Sequence, residues 1–152
     1  MPRVGMRTRW LLVASGMAFG AGCSGPPPPP FKPVADVKQL MQSVVDPATD
    51  VVWGSVSTIL DVRGTTEIRP KTDEDWAAVR NGAITTMEAG NLLMMVPRAK
   101  DGDEWMVRAR ALVDAGEIAL RAAEAKDPDR VFAAGGDLYN ACATCHQKYW
   151  NP

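Results

Sequence analysis

Near the end of the chain stand Cys142, Ala143, Thr144, Cys145 and His146: two thiols three positions apart, with an imidazole directly after the second. On a helix, residues i and i+3 share a face, so this spacing turns both sulfurs to one side. Three chemistries use such a set. A redox dithiol does not require the histidine; a zinc site requires a further ligand pair; a c-type haem takes both thiols as thioethers and binds its iron to the adjacent histidine. His146 is the only histidine of the 152 residues and Cys23 the only other cysteine, so the further zinc pair is missing. The same counts exclude a Ser-His-Asp or Cys-His catalytic pair and a two-histidine iron site unless His146 is part of it. The expectation is one covalent haem c on Cys142, Cys145 and His146.

Four helical stretches must position that motif. Apolar residues recur every three or four positions from residue 33 onwards, and Val, Ile and Thr do not alternate with polar residues long enough to suggest strands. The first stretch carries Val34, Val37, Leu40, Met41, Val44 and Val45. Asp46-Pro47 then forces a kink or a restart, with Asp46 as an N-cap candidate, before Val51, Val52, Val56, Ile59 and Leu60 continue the stripe. Residues 61–71 read as a loop. The second helix starts at a Thr72/Asp75 capping box and runs towards Pro97; the third opens at Asp101 or Asp103 and ends near Lys126; the fourth opens at Asp127-Pro128 and carries the CxxCH motif. Short connections imply antiparallel neighbours, so the spacing predicts an all-α, up-down four-helix bundle over residues 33–152 with haem on its C-terminal helix.

Ahead of the bundle, Arg3, Arg7 and Arg9 precede an apolar run, Trp10 to Phe19, and the small residues Gly20, Ala21 and Gly22. That order is an export signal over 1–22, and the run is shorter than the roughly 20 residues of a membrane span. Cys23 after small residues resembles the lipobox of bacterial lipoproteins, although Gly20 stands where Leu, Val or Ile is usual; the other reading is a plain signal peptide with a spare thiol. Ser24, Gly25 and five prolines, Pro26 to Pro30, complete a tether over 23–32. The resemblance implies a periplasmic protein held to a membrane by a lipid on Cys23, with Ser24 favouring the outer membrane. Downstream of residue 22, 14 basic residues face 18 acidic ones, which argues against nucleic acid as a partner.

Only six residues follow His146, so the arrangement of the common small cytochromes c, with a far-downstream methionine ligand, is excluded. A C-terminal CxxCH on the last of four helices, with Tyr149 three residues after the histidine, resembles the class II cytochromes c, the cytochrome c′ family, over roughly residues 33–150. Family members commonly carry a basic residue four after the histidine; here Trp150 stands there, with Lys148 two residues earlier. The resemblance implies an electron carrier rather than an enzyme, with redox proteins as partners and homodimerisation left open. It also divides by the second axial ligand. Low-spin members take a methionine from the first helix, where Met41 is the one methionine, although a methionine on an apolar stripe is also ordinary core. An apolar residue there would leave a five-coordinate iron suited to a small gas such as nitric oxide. Lys38, one turn before Met41, is a candidate neighbour for a haem propionate, and close approach of a neighbouring helix or the haem would account for Gly135 and Gly136.

Overall fold

A computed structural model describes Met1 and residues 30–150. The expected export signal and Cys23 lie outside the described residues, as does nearly all of the proline tether.

The first helical rod begins at Val37, not Pro33. Asp36 caps it, accepting from the Gln39 amide at 2.7 Å while the Gln39 side chain accepts from the Asp36 amide. Val34 ahead of the cap is exposed. The rod comprises α1 (Val37–Leu40), a π turn (Met41–Val45) and α2 (Asp46–Ser55). Pro47 does not stop it. A proline cannot donate and its ring crowds the carbonyl four residues back, and the strain is met by one extra residue in the preceding turn, where the Asp46 N–H donates to the Met41 carbonyl. Asp46 itself is helical and caps nothing, contrary to expectation. The extra residue also sets the phase. Leu40 and Val45, five apart, would diverge by about 140° on a regular helix, yet both are buried, and Ala48, Val52 and Val56 continue the buried face at ordinary spacing.

The stripe expected to run on through Ile59 and Leu60 ends at Ser55. Instead β1 (Ser57–Asp61) and β2 (Gly64–Ile68) pair as an antiparallel hairpin, from Ser57 opposite Ile68 to Asp61 opposite Gly64. The turn is local chemistry: an Asp61 carboxylate oxygen accepts from the Arg63 amide at 2.8 Å, and Gly64 adopts φ +129°. Ile59 and Leu60 are exposed. The protein is therefore mostly helical rather than all-α, and half of the expected loop at 61–71 is strand.

The three long helices stand where the sequence puts them: α3 (Asp73–Met94), α4 (Glu104–Glu124) and α5 (Pro128–Tyr149). The Thr72/Asp75 capping box is present, Asp101 accepts from the Trp105 amide at the start of α4, and Asp127 accepts from the Arg130 amide at the start of α5. Glycines report the packing. A methyl on Gly90 would lie 2.6 Å from Val113 and 3.0 Å from the Ala109 carbonyl oxygen, and one on Gly116 would lie 2.7 Å from Met87, so α3 and α4 touch backbone to backbone in antiparallel order. On the other side Trp53 of α2 donates its indole N–H to the Gly135 carbonyl at 2.9 Å, and its ring fills the space beside Gly135. That contact accounts for Gly135; Gly136 has open space around it, and nothing in the structure explains it. The packing is that of a helical bundle, with Leu40, Val52, Val79, Leu138 and the alanines of α4 in its core.

Candidate cofactor site

One cleft between the first rod, α4 and α5 gathers the residues singled out above. Cys142, Cys145 and His146 line it from α5, and Met41 lines it from the opposite rod, at the first residue of the π turn. Its walls are otherwise apolar, with Val45, Leu93, Trp105 and Leu112 among them; its polar lining residues besides His146 and the thiols are Asp46 and Arg108. The cavity it encloses is small, about 30 Å³.

Both thiols are free and half-buried. Burial pushes the Cys142 thiol above its ordinary 9.0, reinforced by the Asp46 carboxylate; burial likewise raises Cys145, with Arg108 opposing. A redox dithiol needs the reverse, a stabilised thiolate. Among the described residues no group of three or more His, Cys, Asp or Glu converges on one point.

The cleft is braced at the end that carries His146. Tyr149 packs edge-on against Trp105 at 4.9 Å between centroids and donates its hydroxyl to Asp101 at 2.6 Å, while Trp105 donates its indole N–H to the Leu93 carbonyl at 2.7 Å. Desolvation, with the bond to Asp101, pushes the Tyr149 hydroxyl up to about 12. Lys148 pairs with Glu104, which also accepts from Arg108 at 3.0 Å. The Trp150 ring stands edge-on to His146 at 4.8 Å between centroids. Across the cleft, buried Arg98 donates to the Ala35 carbonyl at 2.9 Å and to the Leu92 carbonyl at 3.3 Å, tying the segment that leads into Met41 to the end of α3.

Lys38 is exposed and lines no part of the cleft. The cation that does, Arg108, escaped the sequence reading because Glu104 and Arg108 at i, i+4 look like an ordinary surface pair. Its Nε is buried with no hydrogen-bond partner. Two thiols, an imidazole, a thioether, apolar walls and an unsatisfied cationic donor make a donor set that fits haem c. No protein-family profile, curated protein or solved structure matches the chain. Among the described residues no helix is long and apolar enough to cross a membrane.

Proposed function

We propose that the protein is a monohaem c-type cytochrome of the class II kind that carries single electrons, exported and held to a bacterial membrane through Cys23. One observation supports this above the rest: Met41 and the Cys142–Cys145–His146 set, a hundred residues apart in sequence, line the same cleft. Cys142 and Cys145 would hold the haem covalently, and His146 and Met41 would bind its iron. Bound there, haem supplies an Fe(III)/Fe(II) couple, which a thioether ligand biases towards the reduced state.

The chain's own residues do the rest. The apolar walls keep water from the site, which raises the cost of net charge and so also favours the reduced form. The Tyr149–Asp101 and Lys148–Glu104 links fix the end of α5 and hence His146. Arg98 and the Asp36 cap fix the start of the rod that carries Met41. Trp150, exposed and in contact with His146, offers a surface next to that imidazole for a redox partner to approach.

The test is expression with export and haem maturation. The expected product stains for covalent haem on a denaturing gel and has a six-coordinate, low-spin spectrum in both oxidation states; Met41→Ala turns it high-spin, and Cys142→Ala/Cys145→Ala removes the stain. A high-spin, carbon-monoxide-binding spectrum in the unmutated protein would overturn the Met41 assignment in favour of a five-coordinate gas binder. No stain at all would overturn the haem reading.

A further inference from the structure

We infer that Arg108 is the anion anchor of the cleft, its buried Nε–H kept for a carboxylate of the occupant; resting on the haem reading, that carboxylate is a propionate. Among the described residues the Arg108 Nε is the only buried side-chain polar atom without a partner. Leaving such a donor unpaired is costly to a folded chain, and an apolar residue of similar length would have filled the same wall of α4 at no such cost. The geometry does not let the guanidinium satisfy itself. One of its two terminal nitrogens, Nη2, donates to Glu104, and that carboxylate also takes Lys148, so the three side chains carry one positive charge more than they cancel.

The direction of the site follows from the other charge on the wall. Asp46 lines the cleft from the first rod, so an anionic end of a ligand is repelled from that side and drawn to α4. Arg108 lines the same cleft as Cys142 and Cys145, which sets the anchor beside the attachment residues. Guanidinium presents its donors in a fixed fork, so a carboxylate bound there also fixes the orientation of the group that carries it.

The full chain, prepared without haem and with its thiols reduced, is titrated by absorbance with two probes. One is iron mesoporphyrin, whose ethyl groups cannot form thioethers; the other is its dimethyl ester, in which both carboxylates are masked. The diacid is expected to bind at least tenfold more tightly than the diester, the size of one charge-assisted hydrogen bond. Arg108→Gln should bring that ratio to within about twofold by weakening the diacid alone, and Arg108→Lys should lower it at least threefold. Lys38→Gln should leave it unchanged. Should Arg108→Gln fail to fold, Arg108→Lys carries the comparison, and a ratio unaffected by it overturns the assignment. A ratio near one in the unmutated chain, or one that collapses with Lys38→Gln instead, also overturns it. Failure of both porphyrins to bind overturns the haem reading, and the anchor with it.

Discussion

Between Asp73 and Tyr149 the chain runs through three long regular helices, each opened by a side-chain oxygen that accepts from its first turn. Between Val37 and Ile68 it runs through a short helical turn, a π turn, a second helix with proline in its first turn, and a hairpin. In the first region the helices meet at alanines and glycines and their backbones come close; in the second the rod makes one such approach, Ala48 against Gly82 of α3, and the hairpin projects with nearly every residue exposed. The difference teaches where specificity sits. The regular region builds the wall that carries Cys142, Cys145 and His146, and the irregular one brings Met41 to face it. π turns occur often at functional positions because an inserted residue re-aims a side chain without ending the helix.

The contrast predicts unequal costs. Leu138 is fully buried at the centre of α5, so Leu138→Ala should cost about 2–5 kcal/mol in urea unfolding through lost burial and the cavity left behind. Leu60, 77% exposed on β1, should change stability by no more than about 0.5 kcal/mol when replaced by alanine. Comparable losses at the two positions would mean that the hairpin packs on something the bundle does not display.

Glycine draws the same line at smaller scale. At Gly90 an added methyl meets Val113 and the Ala109 backbone, and backbone cannot yield, so Gly90→Ala should destabilise by about 1–3 kcal/mol. At Gly54 in α2 there is open space and no unusual dihedral angle, so Gly54→Ala should stabilise by about 0.5 kcal/mol through helix propensity. Urea midpoints moving in opposite directions would confirm that the α3–α4 seam has no room for a methyl at Gly90 while the face of the first rod at Gly54 is open.

The same contrast explains what the sequence could disclose. Thr72/Asp75 and Asp127-Pro128 are local signals, and local capping, periodicity and packing agree there, so α3 and α5 could be read off directly; α4 could be read to within the choice between Asp101 and Asp103. The π turn could not, because its evidence is the burial of Leu40 and Val45 five apart, which exists only once the other helices are in place. The hairpin was hidden because Val56, Ile59 and Leu60 have helical spacing, and only the Asp61 and Gly64 turn chemistry gave it away. In the site, CxxCH and Met41 were legible as residue types, whereas Arg108 became visible only as a buried donor without a partner.

The smallest expected effect concerns the clasp between the regular helices and the end of α5. Its two members are shifted in opposite directions by one hydrogen bond. The bond from Tyr149, with that from the Trp105 amide, holds the Asp101 carboxyl below its ordinary 3.8, while desolvation and the Asp101 carboxylate push the Tyr149 hydroxyl up to about 12. A lowered carboxyl contributes stability that is present above the ordinary value and is lost as pH falls through the folded one; a raised phenol contributes stability that is present below 10 and is lost as pH rises towards 12. Tyr149→Phe keeps the ring on Trp105 and deletes the titrating group. Urea midpoints of the two chains should therefore differ most between about pH 4 and 10 and converge at both extremes. On the acid side the variant keeps part of its slope, because the Trp105 amide still holds Asp101. A difference that stays constant across the whole range would mean that the hydroxyl contributes packing alone, and that His146 is positioned by the Trp105 contact without help from Asp101.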